Sequence, residues 1–364
     1  MFTFPVDPQA IFDERTAQFL AWGIPKATIA QARTEIRDMW GTAGDGWTPT
    51  WARHAEQARS EGRLLRAALC WGAARFPSLA TPERRLANQR QLDCYLAAAA
   101  RFTTRFTREV LRVDGVPVPA HLFQRRRGRP RGVMVLSGGV DTWKMELHRL
   151  AVSTALTTGL LVAAIDMPGT GESVQPLGPD SDRVLSGVVD LLRKRHGLPV
   201  AFLGLSFGGH WAAKLAMLGQ VDAAVCLGGP TGAADERVDV LNLPYGMAGI
   251  IGNALGLDSL PGPGLVTELL DKFSLRGQGL LEAEGRAPLL AVNGANDQYI
   301  PLGDTTRLAG HPGTTVWIVR DATHCAPEHF KPMIVAIWGW LLGHLGGPLP
   351  ARALRLPLRP LLTR

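Results

Sequence analysis

The chain has 364 residues, of which 46% are hydrophobic and 20% are charged, and it carries a formal net charge of +7 at pH 7. These fractions are those of an ordinary globular protein and exclude a disordered or fibrous chain, while the length allows one large domain and a smaller one. The first residues lack the basic and then apolar pattern of a signal peptide, and no window reaches the roughly 18 apolar residues of a membrane span. We therefore expect neither a signal peptide nor a transmembrane segment.

The basic residues and the cysteines narrow the range of partners. The densest basic cluster, residues 125–131, lies between two predicted strands and has no interleaved aromatic residues on which bases could stack.

The four cysteines are far apart and form no CxxC pair, which is typical of free thiols in a reducing cytoplasm. No close cluster of His, Cys, Asp and Glu residues indicates a metal site. We expect a cytoplasmic protein with a small-molecule substrate, no cofactor, no metal, no nucleic-acid partner and no membrane partner, and we leave a homodimer open.

Helical spacing dominates the first part of the chain, where no strand-like alternation occurs. Apolar residues recur every three or four positions in two groups, Ile29, Ala32, Ile36 and Trp40, and Leu64, Ala67, Ala68 and Trp71. Thr81 followed by Pro82 is typical of a helix start and predicts a helix from there towards Ala100. We predict that residues 1–105 form a helical N-terminal lid domain.

From residue 106 the periodicity changes to that of strands. A hairpin is predicted around Asp114-Gly115, with strands at 109–113 and 118–123. Further β-branched or leucine-rich runs, separated by segments of helical length, occupy residues 132–136, 160–165, 200–205, 223–227, 289–292 and 315–319. This alternation predicts an α/β fold, in which a mostly parallel central sheet carries helices on both faces. We assign residues 106–347 to this domain, with a cap-like insertion at about 230–286 over the carboxyl edge of the sheet, and 348–364 to a Pro/Leu/Arg-rich tail.

The segment Gly204-Leu205-Ser206-Phe207-Gly208 is the strongest local signal for chemistry. It follows an apolar run and precedes a stretch of helical spacing. A G-x-S-x-G sequence between a strand and a helix is typical of a nucleophile elbow, a strained turn that projects the serine hydroxyl above the sheet. We therefore predict that Ser206 is a nucleophile.

A serine hydroxyl is a weak nucleophile and needs a base that is itself held by an acid. In α/β-hydrolases the order along the chain is serine, acid, histidine, and Asp297 and His324 follow the predicted strands at 289–292 and 315–319 in that order. Both residues fall beyond strand ends, at the edge of the sheet that carries the elbow. We predict a catalytic triad of Ser206, Asp297 and His324. Rival residues are less well placed, in predicted helices or before the loop: His148, His196, His210, His329 and Asp321.

The oxyanion formed during acyl transfer needs backbone donors. We expect one to be the N–H of Phe207, the residue after the nucleophile, and the other to come from the glycine-containing loop after residue 136, from Gly139 or Val140. The lid domain and the insertion together are expected to roof an apolar pocket. Candidate pocket residues are Asp141, Trp47, Trp51, Trp71, Tyr245 and Met247, although core packing is the more common role for any one of the hydrophobic members.

Several further stretches match one family, which has a helical domain before the hydrolase domain. They are the elbow, Asp297, His324, Gly138-Gly139-Val140-Asp141-Thr142, Lys144, Glu146, Pro168-Gly169-Thr170-Gly171-Glu172 and, in the helical part, Ala58, Gly62, Arg66-Ala67-Ala68, Ala73-Ala74 and Phe76. On these residues the chain resembles the α/β-hydrolase superfamily. Within it the chain is similar to the group of FrsA-like proteins, fungal polyketide-shortening pigment hydrolases and pseudooxynicotine-type C–C hydrolases. Met145 stands where the group usually has an acidic residue.

The resemblance implies hydrolysis of an ester, or of a C–C bond next to a ketone, in a pocket roofed by the helical domain. We expect the substrate to be a natural-product or polyketide-like small molecule. Two alternatives remain open at this point. One is a lyase that eliminates an acyloxy group such as acetate from a biosynthetic intermediate, with His324 as the base. The other is a non-catalytic FrsA-like binding protein on the same scaffold.

Overall fold

The structure, a computed structural model, describes residues 1–282, 286–346 and 361–362. Its strands are β1 (Arg105–Val113), β2 (Val116–Gln124), β3 (Val133–Ser137), β4 (Leu161–Ile165), β5 (Val200–Leu205), β6 (Ala223–Leu227), β7 (Leu289–Gly294) and β8 (Thr314–Val319). They form an eight-stranded sheet in the order β1-β2-β4-β3-β5-β6-β7-β8. Strands β3 to β8 run parallel, whereas β1 and β2 form an antiparallel hairpin that joins the sheet beside β4. The predicted α/β fold with a mostly parallel sheet is confirmed.

The β1–β2 hairpin is longer than the predicted one. At its turn Asp114 and Gly115 have φ angles of 46° and 85°, the left-handed conformations that a two-residue hairpin turn requires. The first strand begins at Arg105 rather than at residue 109. Its extra length is stabilised by Phe106 and Phe123, which lie directly opposite each other on the two strands with ring centroids 5.2 Å apart.

Helices surround the sheet, and the first five precede it along the chain. They are α1 (Pro8–Trp22), α2 (Lys26–Glu35), α3 (Trp47–Ser60), α4 (Leu64–Arg75), α5 (Pro82–Ala98), α6 (His148–Thr158), α7 (Asp182–His196), α8 (Phe207–Met217), α9 (Met247–Ala254), α10 (Pro263–Phe273), α11 (Leu302–Thr306) and α12 (Phe330–His344). As the sequence predicts, α5 begins after Thr81, whose side chain accepts a hydrogen bond from the backbone N–H of Arg84. Within the described residues no helix is long and apolar enough to cross a bilayer.

The helical spacing that runs from Ile29 to Trp40 overestimates the length of α2, which ends at Glu35. The next residue, Ile36, has an extended backbone, and the backbone N–H of Trp40 donates to Asp38 Oδ1 at 2.8 Å. An aspartate that binds the backbone two residues ahead forms a turn, so the helical prediction beyond Glu35 is wrong.

The side chains of the central strands divide between two cores, one on each face of the sheet. In β5, Val200 and Phe202 belong to one core and Ala201 and Leu203 to the other, as the two-residue period of a strand requires. The first of these cores is shared with α7, α8 and α9, and the second with α1 to α6 and α12. The five N-terminal helices therefore share a continuous core with one face of the sheet.

The predicted tail at 348–364 lies outside the described residues except at Leu361 and Leu362. The backbone N–H of Arg320 donates to the Leu361 carbonyl oxygen at 2.7 Å, and Leu362 forms an antiparallel bridge with Val319. These two residues therefore lie against the end of β8.

Two buried histidines make the fold sensitive to acid. His148 Nδ1 pairs with the Tyr95 hydroxyl at 2.8 Å and His210 Nδ1 with the Pro230 carbonyl oxygen at 2.9 Å, and burial lowers the pKa of both imidazoles to about 4. On unfolding their pKa returns to about 6.5, so the unfolded chain binds more protons than the folded chain below that pH. We expect the free energy of unfolding to fall as the pH drops from 6.5 towards 4, by about 2 kcal/mol for each histidine at pH 5.

Urea unfolding at pH 7.5, 6.0 and 5.0 measures this loss. The variants His148→Gln and His210→Gln lack the titrating ring and should each lose less stability over this interval than the native chain. His311→Gln, at a partly exposed position, is the matched control and should keep the full dependence. A free energy of unfolding that stays constant from pH 7.5 to 5.0 would contradict the prediction.

Candidate active site

Ser206 lies on a sharp turn between the end of β5 and the start of α8. Its φ of 53° is unusual for a residue with a side chain, and backbone strain of this kind is concentrated at functional sites. The turn depends on glycine, because a Cβ on Gly204 would overlap the backbone of Gly208, and one on Gly208 would overlap the Gly138 carbonyl oxygen. The chain therefore has the strand–turn–helix geometry that presents a serine hydroxyl above the sheet.

The structure brings together the three residues that the sequence proposes as a triad. His324 Nε2 lies 3.0 Å from Ser206 Oγ, and His324 Nδ1 lies 2.7 Å from Asp297 Oδ2. Asp297 follows β7 and His324 follows β8, at the carboxyl ends of neighbouring parallel strands. In this arrangement one imidazole nitrogen can accept the serine proton while the carboxylate holds the other.

The Asp297 carboxylate is buried, with its side chain only 1% exposed. Backbone N–H groups of Tyr299 and Ile300 donate to its Oδ1 at 2.7 and 3.1 Å. Burial by itself would raise the pKa of this carboxyl group, but the charge of His324 and the hydrogen bonds lower it below the usual value. Asp297 is therefore ionised at neutral pH and can orient the imidazole.

Burial and the neighbouring side chains act in opposite directions on the pKa of His324. Burial by itself would lower the pKa of the imidazole, but the neighbouring Cys325 side chain and the Asp297 carboxylate raise it well above the usual value. The imidazolium is the species that forms when a histidine takes a proton from serine. The site thus stabilises the product of the proton transfer that acyl transfer requires.

Asn293, at the end of β7, is a residue of the site that sequence reasoning missed. Its Nδ2 donates to Asp297 Oδ2 at 2.6 Å, and its Oδ1 accepts from the backbone N–H of Cys325 at 3.2 Å. The side chain therefore joins the loop that carries Asp297 to the loop that carries His324. A signal was available, because an asparagine stands at the end of an otherwise apolar strand, four residues before the aspartate.

Two backbone segments lie beside Ser206, the start of α8 and the loop after β3. Phe207 is the first residue of α8, so its N–H has no acceptor within the helix, and a helix N-terminus favours negative charge. From the loop after β3, a Cβ on Gly139 would lie 2.8 Å from Ser206 Cβ and 3.5 Å from the Phe207 nitrogen. Gly139 therefore lies directly beside the elbow, and Val140 follows it in the lining of the adjoining cavity.

Ser206 and His324 open into a cavity of about 850 Å³, a volume in the range of pockets that bind drug-sized molecules. One wall is apolar and comes mostly from α9, α10 and the segments beside them: Val240, Leu243, Met247, Ile251, Leu255, Val266, Leu269, Leu270 and Phe273. A polar wall is formed by Glu14, Arg15, Gln18, Asp141, Thr142 and Tyr299, and the inserted segment adds the charged residues Asp235, Glu236, Arg237, Asp271 and Arg276. The cavity therefore lies between the first helix of the chain and the segment inserted between β6 and β7.

The comparison with protein families gives a direct match. A family model described as "Esterase FrsA-like" matches residues 36–318, well over half of the chain. The chain belongs to the FrsA-like esterase family. It is an enzyme with the α/β-hydrolase fold, and its relatives are named as esterases and a hydrolase.

Two relatives show the range of the similarity. Esterase FrsA of Citrobacter koseri is 24% identical over 363 residues, a match that covers 92% of this chain and 84% of that protein. The 2,6-dihydropseudooxynicotine hydrolase of Paenarthrobacter nicotinovorans is 33% identical over 159 residues. That second match covers 42% of this chain and 42% of the relative, so the chain aligns with less than half of that hydrolase.

Solved structures share the fold over nearly the whole chain. The structure named "AbyA5 Wildtype" has a TM-score of 0.78 at 22% identity, covering 96% of this chain and 99% of that one. The crystal structure of a 2,6-dihydroxy-pseudo-oxynicotine hydrolase has a TM-score of 0.72 at 23% identity, covering 92% and 97%. At these identities the likeness establishes the architecture of the FrsA-like chain and leaves its substrate open.

Three tryptophans predicted to be pocket residues lie elsewhere in the structure. Trp47 and Trp51 of α3 are fully buried, and the Trp47 ring lies 5.0 Å from that of Phe12 on α1. The Trp47 indole also donates to the Ala73 carbonyl oxygen at 2.7 Å. Trp71 is buried in the same core. The pocket assignment of all three is wrong, because they pack in this core and none of them lines the cavity.

Of the remaining candidate pocket residues, two line the cavity and one does not. Asp141 and Met247 line the cavity, on its polar and apolar walls respectively. Tyr245 is set back from the lining residues, with its ring 6.4 Å from that of Tyr299. The half-buried Tyr245 packs beside a lining residue and is not itself among the residues that line the cavity.

The loop after β3 is held by the N-terminal helices. Arg75 of α4 forms an ion pair with Glu146 at 2.9 Å, and both side chains are fully buried. The same guanidinium lies 3.3 Å from the centroid of the Trp143 ring and donates to the Asp141 carbonyl oxygen at 3.1 Å. Gln91 of α5 adds a hydrogen bond to Glu146 at 2.6 Å. The loop that approaches Ser206 is therefore anchored from the helical part of the chain.

A second buried cluster holds the other side of this loop. The Lys144 ammonium is fully buried and pairs with Asp166 and, at 2.8 Å, with Glu172, while its backbone N–H donates to Asp166 Oδ1 at 2.8 Å. Asp166 and Glu172 belong to the glycine-rich turn after β4. This turn thus has a structural role beside the site.

In residues 1–282, 286–346 and 361–362, no group of three His, Cys, Asp or Glu residues is placed to hold a metal ion. The four cysteines all fall within these ranges and are free thiols.

Proposed function

We propose that the chain is a serine hydrolase that cleaves an ester, or a C–C bond next to a ketone, in a natural-product or polyketide-like small molecule. The observation that carries this proposal is the hydrogen-bonded series from Asp297 through His324 to Ser206, which ends in the cavity. Membership of an esterase family supports the reaction, and the apolar wall supports a substrate with a sizeable apolar body. The four free thiols support a cytoplasmic location.

The first half of the mechanism forms an acyl-enzyme. His324 Nε2 takes the proton of Ser206 as Oγ attacks the substrate carbonyl carbon. The carbonyl oxygen becomes an anion, which the N–H of Phe207 and an N–H of the Gly139–Val140 loop stabilise by roughly 3 kcal/mol each. His324 then returns the proton to the departing alkoxide, and the acyl group remains on Ser206.

The second half releases the acid. His324 takes a proton from a water molecule, which attacks the acyl carbon, and then returns that proton to Ser206 Oγ as the carboxylic acid leaves. For a C–C substrate the leaving group of the first half is an enolate, which His324 protonates to give a ketone. Both routes consume one water molecule and restore the enzyme.

Intact-mass spectrometry after exposure to a fluorophosphonate tests the proposal. An activated serine attacks the phosphorus of this probe and displaces fluoride, which leaves a stable adduct. We expect one adduct on the native chain and none on Ser206→Ala. A native chain that stays unmodified at neutral pH would contradict an activated serine. An alkene product formed without an acyl-serine would indicate the elimination of an acyloxy group in place of hydrolysis.

A further inference from the structure

Two adjacent residues of α1 reach both loops that carry the proposed catalytic groups. Arg15 Nη2 lies 2.8 Å from Asp141 Oδ2, and the Tyr299 hydroxyl donates to Glu14 Oε1 at 2.6 Å. Glu14 and Arg15 also form an ion pair with each other. All four residues line the cavity, and the three charged side chains are only 7–9% exposed. They are called the α1 cluster below.

The α1 cluster lies close to the reacting atoms. Asp141 follows Gly139 and Val140, which approach Ser206. On the other side, the Tyr299 ring lies 5.1 Å from the His324 ring and nearly perpendicular to it, and the Tyr299 N–H donates to Asp297. A substrate group bound by the cluster would therefore sit near the carbonyl that Ser206 attacks.

The cluster has more capacity to accept hydrogen bonds than to donate them. Two carboxylates face one guanidinium, which leaves a formal excess of one negative charge. Arg15 uses three of its five N–H donors, on Glu14, Asp141 and the Gln18 side chain, the last at 2.8 Å. Each carboxylate can accept about four hydrogen bonds, and Glu14 has two partners in the structure, Arg15 and Tyr299. Buried acceptors with spare capacity favour a ligand that donates.

We propose that the α1 cluster is a recognition site for a hydrogen-bond donor of the substrate, a hydroxyl group close to the scissile carbonyl. This inference rests on the proposed function and deepens it. The substrate is an amphiphilic carbonyl compound, whose apolar body lies against α9 and α10 and whose hydroxyl group faces Glu14 and Asp141. Arg15 holds the two carboxylates in place and offsets half of their charge.

Hydrolysis of three p-nitrophenyl esters by the native chain tests this assignment. The esters are those of hexanoic acid, 3-hydroxyhexanoic acid and 3-methoxyhexanoic acid. The methoxy group occupies the position of the hydroxyl but has no proton to donate. A hydrogen bond to a charged acceptor corresponds to about a tenfold preference or more. We expect kcat/KM for the hydroxy ester to exceed that of each of the other two by at least about tenfold.

Two variants at neighbouring positions separate recognition from structural support. Glu14→Gln keeps the shape of the side chain and an oxygen for Tyr299 but removes the charged acceptor, so the preference for the hydroxy ester should fall below about threefold. Asp13→Asn makes the same chemical change one residue earlier, at a side chain that is 63% exposed, and should leave the preference unchanged. A merely structural role for Glu14 would lower kcat/KM for all three esters alike.

The outcomes distinguish this inference from the proposed function. Hydrolysis of all three esters at similar rates by the native chain would overturn the inference and leave the function intact, as would a preference that survives in Glu14→Gln. No hydrolysis of any ester, together with no fluorophosphonate adduct, would overturn the function and the inference with it.

Discussion

Replacing Asp297 by asparagine should lower kcat for ester hydrolysis by about 10⁴-fold. Asparagine has nearly the same shape but no charge with which to stabilise the imidazolium. Its amide would also favour the tautomer of His324 that carries the proton on Nε2, where the imidazole can no longer accept the proton of Ser206. The Asn293 amide makes the change worse, because it donates to Asp297 Oδ2 at 2.6 Å and needs an acceptor there.

The pH dependence of kcat gives an independent readout of the same variant. In the native chain the Asp297 charge contributes to the raised pKa of His324, and activity should rise with pH as the imidazole loses its proton. In Asp297→Asn the midpoint of that rise should move to lower pH. Asp321→Asn is the matched control, since Asp321 is exposed and its φ of 52° suits asparagine; its kcat should stay within about twofold. More than a tenth of the native kcat in Asp297→Asn would show that Asp297 is not the acid.

The second large effect is a loss of stability when Arg75 is replaced. Because Arg75 and Glu146 are both fully buried, removing the guanidinium leaves an uncompensated carboxylate in the interior. We expect Arg75→Met, which keeps much of the side-chain volume, to lower the free energy of unfolding by about 3–5 kcal/mol. Urea unfolding measures the change.

A double variant shows whether the loss in the free energy of unfolding comes from the unpaired charge of Glu146. Arg75→Met combined with Glu146→Gln removes both charges and should recover most of the lost stability. Arg53→Met is the exposed control, because Arg53 is 51% exposed and pairs with Glu35 at 2.8 Å, and it should cost less than about 1 kcal/mol. An Arg75→Met chain as stable as the native one would contradict the prediction.

These contacts give the N-terminal helices a part in the site. Arg75 of α4 holds the backbone of Asp141, which follows the loop that approaches Ser206, while Glu14 and Arg15 of α1 form part of the cavity wall. The helical region therefore contributes to the geometry around the proposed nucleophile. A chain without these helices would lose both the anchor of the loop and one wall of the cavity.

The sequence by itself determined the α/β architecture and the candidate triad. The positions of the strands along the chain and their alternation with helices follow from short-range periodicity, which each segment carries in its own residues. The G-x-S-x-G turn is equally local, because it depends on the absence of side chains at Gly204 and Gly208. Asp297 and His324 could be selected because parallel strands end at the same edge of a sheet, so that residues distant in the chain meet there.

The tertiary structure alone decided what surrounds the proposed nucleophile. The roles of Trp47 and Trp51 depend on which face of α3 packs against α1, and both are aromatic residues that would suit a core or a pocket equally. The roles of Glu14 and Arg15 also depend on packing. Their positions on a predicted helix do not show whether polar side chains face a cavity or the solvent. Asn293 gains its role only when two loops approach each other. Local patterns describe the periodicity of one segment, whereas the lining of a cavity depends on the packing of several segments, and that packing is a property of the whole fold.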